Sequence, residues 1–179
     1  LIVLAILSAF RGKPRRQPHG LAFDGIRQVD TSGKDCGPNQ VVSQSTTTPF
    51  RCWAEIDLAA LERNLKSIRA DLPDYIKYIA VVKADASGHG MQQTVARLMQ
   101  ANVDMFAVAN VLEAAKIREI GTGWPIIVLG ATLENEESYL FEYDLIPTIS
   151  TIEEVERLNL KARSHEKPHK AHIKKDTRM

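Results

Sequence analysis

Short apolar segments recur about every twenty residues after residue 50, and amphipathic stretches separate them. Solidly apolar strands that alternate with helices indicate a parallel sheet covered by helices, so we expect an α/β fold. A doubly wound sheet and a (β/α)8 barrel both fit this pattern, although a barrel needs about 250 residues. The predicted strands are 52–56, 79–82, 105–109, 126–129, 145–149 and 171–173.

Helices are predicted between these strands. Asp57 is a candidate N-cap for a helix whose leucines follow at steps of three and four residues. Further helices are expected over 94–100 and over 111–120, where Gly121 is a natural C′ residue. Ser150 and Glu153 fit a capping box that opens a last helix. Its buried stripe would consist of Ile152, Val155 and Leu158.

The first 49 residues show no sustained periodicity, and glycine and proline are scattered through them. We therefore predict a flexible, disordered leader over 1–49 and a structured domain over 50–179. Residues 1–10 are apolar but too short to span a bilayer. They could be the remnant of a signal peptide, which would imply a periplasmic location, but the basic cluster follows the apolar run instead of preceding it.

Composition narrows the class of protein. A chain of 179 residues with 44% hydrophobic and 25% charged residues is typical of a globular protein. The formal net charge of +1 argues against nucleic acid as a main partner, and no membrane partner is expected. Two cysteines, Cys36 and Cys52, do not make a disulfide framework, which favours a reducing, cytoplasmic compartment.

One lysine stands out for its position. Lys83 directly follows the apolar segment 79–82 and precedes a turn of small residues and glycines, 84–90. A desolvated ammonium group loses its proton more readily, and a neutral lysine can form an imine with an aldehyde. Lys83 is therefore a candidate nucleophile at the rim of a parallel sheet. The alternative is a strand-end lysine whose ammonium group only extends to water.

The segment 80–90, AVVKADASGHG, resembles the cofactor-lysine signature of the alanine racemase family of pyridoxal phosphate enzymes. Four more segments are similar to that family in the same order, so that the resemblance covers about residues 49–179. They are 53–64, 106–118, 125–130 and 172–179.

The resemblance implies a partial TIM-type (β/α)8 barrel, the incomplete N-terminal half of a barrel that a β-rich domain follows in a homodimer. It implies pyridoxal 5′-phosphate as cofactor and interconversion of L-alanine and D-alanine, which supplies D-alanine for peptidoglycan. Lys83 would hold the cofactor as a Schiff base and take the α-proton on one face of the substrate. The family's second base is a tyrosine of the partner subunit, in a later domain that this chain does not match. We therefore expect a fragment with little racemase activity alone.

Two departures from the family pattern affect the expected site. Ser87 stands where the family has a tyrosine that contacts the cofactor phosphate, and its shorter side chain allows at most a weak contact. The loss of one hydrogen bond to a charged group would cost about 1.5–3 kcal/mol. Arg178 stands where the family has glycine.

Other basic residues have two interpretations each. Lys174 matches a family lysine that can be carbamylated, but it is also an ordinary strand-end charge. His89, between two glycines, is either a base or a structural histidine in a turn, and we favour the latter. His165, His169 and His172 lack tight metal-ligand spacing, so we interpret them as part of a solvated connector.

Two further functions stay open. The chain could belong to a racemase for serine or for a larger or basic amino acid, because substrate-selecting residues lie outside it. It could also be a truncated product that is inert or only binds pyridoxal phosphate.

Overall fold

The computed structural model describes residues 2–5, 26–29, 54–165 and 168–175. Within these residues the chain forms eight strands and six helices. In chain order they are β1 (Ile2–Ala5), β2 (Ile26–Val29), β3 (Ala54–Asp57), α1 (Leu58–Ala70), β4 (Tyr78–Val81), α2 (Lys83–Gly88), α3 (Met91–Gln100), β5 (Met105–Val108), α4 (Val111–Ile120), β6 (Ile126–Val128), α5 (Glu137–Glu142), β7 (Ile146–Ile149), α6 (Ile152–Ser164) and β8 (His172–Ile173).

The chain divides into two compact units, Leu7–Leu72 and a larger one of Leu1–Ile6 with Pro73–Met179. In the smaller unit β2 and β3 pair in parallel, and α1 begins directly after Asp57. The Oδ1 atom of Asp57 accepts a hydrogen bond from the amide of Ala60 at 2.9 Å, which confirms the predicted N-cap. The leucines of α1 at 58, 61 and 65 are buried, as the three- and four-residue spacing predicts.

The larger unit is built on a parallel sheet. Its six strands lie in the order β1-β4-β5-β6-β7-β8, and every pair of neighbours is parallel. Ile79, Ala107 and Ile127 form the buried centre of one cluster across β4, β5 and β6. Helix α4 packs on β5 and β6, and α3 packs on α4. The α/β class and the parallel alternation expected from the sequence are confirmed.

The predicted leader lies mostly outside the described residues. Strands β1 and β2 fall within it, and β1 pairs with β4 at the sheet edge. Cys36 and Cys52 also lie outside the described residues, and the domain boundary near Pro49 stays a prediction. Among the described helices, none has the length and apolar character that crossing a bilayer requires.

Helix α6 differs from its prediction in two ways. It begins one residue later than expected, so that Thr151 and Glu154 form the capping box instead of Ser150 and Glu153. The predicted stripe is also wrong, because Ile152 and Val155 are exposed and Leu158 is only half-buried. A stripe is buried only where another surface covers it, and the described part of the chain leaves Ile152 and Val155 without such cover.

Gly121 follows α4 as predicted, but not for the conformational reason that a C′ glycine implies. Its φ of −174° is extended, which any residue adopts. A Cβ atom at this position would lie 2.9 Å from the Sδ atom of Met99, so a side chain here would require the flexible end of Met99 on α3 to shift. Helix α5 was not predicted, because its six residues are too few to show a period.

A buried carboxylate attaches α6 to α5. Glu137 is 2% exposed, and its Oε1 and Oε2 atoms lie 2.8 Å and 2.9 Å from the Nε of Arg157 and the Nζ of Lys161. Burial raises the pKa of Glu137, but the hydrogen bonds and charges of Arg157 and Lys161 outweigh burial and leave the pKa below its ordinary value. Helix α6 contributes no buried residue, so its attachment to α5 relies in part on these polar contacts.

We expect Glu137→Gln to lower the free energy of unfolding at pH 7 by about 1.5–3 kcal/mol, the value of charged hydrogen bonds. Because the pKa of Glu137 is lower in the folded state than in the unfolded state, where it is about 4.3, its carboxylate stabilises the fold at pH values above about 4.3. This stabilisation is lost as the pH falls through the folded-state pKa. The wild-type and Glu137→Gln stabilities should therefore converge at acidic pH in urea titrations. Glu134→Gln is the control, because Glu134 is 78% exposed and 3.8 Å from Arg157. A difference that is the same at every pH would contradict this assignment.

Arg118 closes the amino-terminal side of the sheet by donating to three backbone carbonyls. Its guanidinium reaches Trp124, Tyr143 and Asp144 at 2.7, 2.8 and 3.0 Å. Burial lowers the pKa of Arg118, and the carboxylate of Asp144 partly offsets that effect. A planar fork of donors suits this arrangement, and a lysine ammonium does not reproduce it.

We therefore expect Arg118→Lys to cost about 1.5–3 kcal/mol of unfolding free energy in urea titrations. Lys116→Arg, the reverse exchange at an exposed site of the same helix, should change it by less than about 0.5 kcal/mol. Equal effects of the two exchanges would show that the three carbonyl contacts contribute nothing.

Candidate active site

The parallel sheet brings the candidate residues to one edge. Lys83 follows β4 after a single residue, Val82, and Lys174 directly follows β8. The amide of Lys174 donates to the carbonyl of Ile149 at 2.8 Å, which extends the pairing of β7 with β8. Both lysines therefore lie at the carboxyl edge of the sheet, with β5, β6 and β7 between them. Enzymes with parallel α/β barrels carry their active sites at this edge.

The side chains at this edge are open to solvent. Lys83, Ser87 and Lys174 are all exposed. The expectation that a buried strand delivers Lys83 into a desolvated setting is therefore wrong for the described residues. Val82 is fully buried, but the chain turns away from the core directly after it. The sequence predicts where the lysine lies along the chain, whereas the solvent around its amine depends on which other segments cover that edge.

The turn after Lys83 has an unusual backbone. Ala84, Asp85, Ala86 and Ser87 all have φ between 52° and 57°, which makes α2 a left-handed helical turn. Residues with a Cβ atom pay about 1–2 kcal/mol each for this conformation, and a left-handed helix of several residues is rare. The small side chains and glycines of the segment predict a turn, but they do not predict four consecutive left-handed residues.

Several hydrogen bonds hold this turn. The amide of Ala86 donates to the carbonyl of Val82 at 2.9 Å, and the amide of Gly90 donates to that of Asp85 at 3.1 Å. The Oδ1 atom of Asp85 accepts from the amide of Met91 at 2.7 Å and so caps the start of α3. These contacts offset part of the conformational cost and keep the lysine-bearing segment in one shape.

His89 is a structural residue of the same turn. It is buried, and its Nδ1 atom lies 2.8 Å from the carbonyl oxygen of Ala86. The structural interpretation that the sequence favoured is confirmed. His165 and His169 instead pack on Phe141, each with its ring 4.6 Å from the phenyl ring, while His172 is exposed.

Sequence reasoning missed Glu113 as a member of this site. Its Oε1 accepts from the amide of Ala84 at 2.7 Å, and its Oε2 accepts from the amide of Ala109 at 2.9 Å. Asn110 caps α4 by accepting from the amide of Glu113 at 3.0 Å. The spacing of Asn110 and Glu113 is that of a capping box, which would have predicted only a local role.

Hydrogen bonds also join the end of β6 to the end of β5. The amides of Leu129 and Gly130 donate to the carbonyls of Val108 and Ala109 at 2.8 and 3.1 Å. A Cβ atom on Gly130 would lie 2.5 Å from the carbonyl oxygen of Ala109, so only glycine allows this approach. The ends of β4, β5 and β6 are thus joined in one hydrogen-bonded row beside Lys83.

An open cavity of about 600 Å³ lies at the opposite edge of the sheet. Its lining includes Arg118, Trp124, Asp144 and His169, next to the amino-terminal ends of β6 and β7. It is therefore separate from the edge that carries Lys83, and in parallel barrels the amino-terminal edge contributes stability.

The fold and this edge define the class of protein: part of a parallel α/β barrel with its site at the carboxyl ends of the strands. The family model described as "Alanine racemase, N-terminal domain" matches residues 56–179, and the chain belongs to that family. It is 42% identical over 127 residues to an alanine racemase of Halothermothrix orenii, which covers 71% of this chain and 34% of that protein. Over 127 residues it is 37% identical to an alanine racemase of Methanococcus maripaludis, with the same coverage.

Solved structures agree with this assignment. The crystal structure of alanine racemase from E. faecalis matches with a TM-score of 0.65 and 31% identity, over 69% of this chain and 33% of that one. A histidine racemase from Leuconostoc mesenteroides matches with a TM-score of 0.57 and 28% identity, over 64% of this chain and 30% of that one. The chain spans about a third of the length of these relatives. Arg178, the second departure from the family pattern, lies outside the described residues.

The carboxylate of Asp85 is expected to stabilise both the turn and α3. Asp85→Ala removes the acceptor for Met91 and places an unfavourable residue at φ 52°, so we expect a loss of about 1–2 kcal/mol. Asp85→Asn keeps an acceptor oxygen and a side chain that tolerates this backbone, so the loss should stay below about 0.5 kcal/mol. Urea unfolding checks both variants. Equal losses for the two would contradict the capping role.

Proposed function

We propose that this chain is part of a pyridoxal phosphate-dependent amino-acid racemase that interconverts L-alanine and D-alanine. The observation that carries the proposal is the place of Lys83, which leaves the sheet at the carboxyl end of β4 within a segment matching the alanine racemase N-terminal domain. The curated relatives named alanine racemase support the substrate. D-alanine supply for peptidoglycan and a homodimeric parent follow from the same family and belong to this proposal.

The described side chains fit the covalent attachment of the cofactor. Lys83 offers an exposed primary amine on a turn that many hydrogen bonds hold in place, and Ser87 offers a hydroxyl on the same turn. We assign the attachment to Lys83. Ser87 is the residue of this turn that replaces the family tyrosine, and we propose it as a weak contact of the phosphate. Lys174 we assign to the position of the carbamylated lysine of the family.

The chemistry divides between cofactor and chain. When bound, pyridoxal phosphate supplies an electron sink that lets an amino acid lose its α-proton near neutral pH. The part of Lys83 is to receive or return that proton at its Nζ atom, on the face of the substrate that it occupies. The backbone contacts on either side of Lys83 fix the place where its side chain leaves the turn.

A second candidate substrate is a larger or basic amino acid. The likeness to a histidine racemase supports it, because one fold carries both substrates among the structures that match. Proton exchange separates the candidates. Because the residues that select the substrate are expected outside this chain, the comparison is made on the chain extended to the length of its relatives. In D₂O with the cofactor present, that protein should exchange the α-proton of L-alanine faster than that of L-serine or L-histidine, as followed by NMR spectra. Faster exchange of histidine would favour the alternative substrate.

We expect Lys83 to be the preferred site of cofactor attachment. After incubation with pyridoxal phosphate and borohydride reduction, peptide mass spectrometry should find label on Lys83 at least about tenfold above label on Lys116, a difference of about 1.4 kcal/mol. Lys116 is the internal control because it is an exposed lysine of α4.

The variants complete this test. Lys83→Ala should remove the label and the α-proton exchange, while Lys116→Ala should leave both unchanged. Equal label on the two lysines of the wild-type chain would indicate unspecific reaction and an inert fragment. Label without any α-proton exchange would favour a segment that only binds the cofactor.

A further inference from the structure

Glu113 is placed across two strand ends and not along its own helix. In a capping box the carboxylate of such a residue accepts from the amide of the N-cap residue, here Asn110. The two oxygens of Glu113 accept instead from the amide of Ala109, one residue earlier, and from Ala84 on the neighbouring turn. The cap itself is made by the side chain of Asn110, so the carboxylate of Glu113 serves the neighbouring turn.

The contact with Ala84 acts directly on Lys83. The amide nitrogen of Ala84 belongs to the peptide group whose carbonyl is that of Lys83. On the other side, the carbonyl of Val82 accepts from the amide of Ala86 at 2.9 Å. The two peptide groups that flank the Cα atom of Lys83 are therefore both held by hydrogen bonds. Of these two bonds, the one to Val82 lies within the turn, whereas the one to Glu113 comes from another part of the chain.

We propose that Glu113 is a positioning residue for Lys83, and this inference rests on the proposed cofactor role of that lysine. Its carboxylate sets the direction in which the lysine leaves the sheet by tying the left-handed turn to the end of β5. Ala109, the second donor, is fixed in turn because its carbonyl accepts from the amide of Gly130. Hydrogen bonds thus connect the backbone of Lys83 to the row formed by the ends of β4, β5 and β6.

A carboxylate is the group that this arrangement requires. Two backbone amides meet two acceptor oxygens, and the negative charge strengthens both hydrogen bonds. A glutamine has one acceptor oxygen, so its NH₂ group would face one of the two amides. An alanine would leave both amides without this acceptor. The effect should therefore grow from Glu113→Gln to Glu113→Ala.

Hydrogen exchange tests the contact itself and needs no cofactor. In Glu113→Ala, exchange of the amides of Ala84 and Ala109 should accelerate at least about tenfold, equivalent to about 1.4 kcal/mol. The amide of Val82, which donates to Ala107 at 2.9 Å, should keep its protection and report that the sheet is intact. In Glu113→Gln the exchange of one of the two amides should accelerate. Glu119→Ala and Glu119→Gln are the matched controls, because Glu119 is an exposed glutamate of the same helix.

Labelling tests the consequence for Lys83. The ratio of reduced pyridoxal phosphate label on Lys83 to that on Lys116 should fall about tenfold in Glu113→Ala and less in Glu113→Gln. The Glu119 variants should keep the wild-type ratio. A purely structural role of Glu113 would lower stability and leave the ratio unchanged, and this outcome overturns the proposal.

The outcomes separate this inference from the proposed function. Unchanged exchange at Ala84 in both Glu113 variants overturns the positioning role and leaves the assignment of Lys83 intact. Absence of selective label on Lys83 in the wild-type chain overturns both. If Glu113→Ala does not fold, as loss of Val82 protection would show, Glu113→Gln decides the question: unchanged exchange at both Ala84 and Ala109 in that variant overturns the positioning role.

Discussion

The parallel pairing of β4 with β5 and β6 is the constraint on which the larger unit depends. Because these strands run in one direction, their carboxyl ends meet at one edge, and the segments that follow them become neighbours. Lys83 leaves the sheet there, and α4 begins there with Glu113 in its first turn. The carboxylate can therefore reach the amides of Ala84 and Ala109, although 25 residues separate these two in sequence numbering.

Strain and polar contacts are balanced at this edge. The left-handed turn 84–87 is costly for residues with side chains, and the segment contains only small ones apart from Asp85. Glu113, which lies outside the turn, accepts from the amide of Ala84, and Asp85, which lies within it, accepts from the amide of Met91. Strained backbone of this kind persists where its surroundings determine it strongly, which is common at functional sites. The proposed attachment of a cofactor at Lys83 fits this pattern.

Helix α6 shows that an apolar helix face can stay exposed while polar contacts hold the helix. Its apolar residues at 152, 155 and 160 are exposed, and a buried carboxylate, Glu137, holds it through Arg157 and Lys161. An amphipathic pattern predicts which face of a helix is apolar, but burial needs a second surface. The same distinction applies to Lys83, whose amine is exposed among the described residues although the strand before it is buried.

The sequence by itself determined the α/β class, the positions of β3 to β8, the start of α1 at Asp57 and the extent of α4, because periodicity and caps are local properties. Strands β1 and β2, which lie within the predicted leader, were not among them. The segment around Lys83, together with the order of the other similar segments, also indicated the family. Tertiary structure decided the rest. It set the left-handed turn, the contact of Gly121 with Met99 and the contact of Glu113 with the lysine-bearing turn. These features depend on which groups of neighbouring segments meet in the folded chain, and no local pattern encodes that meeting.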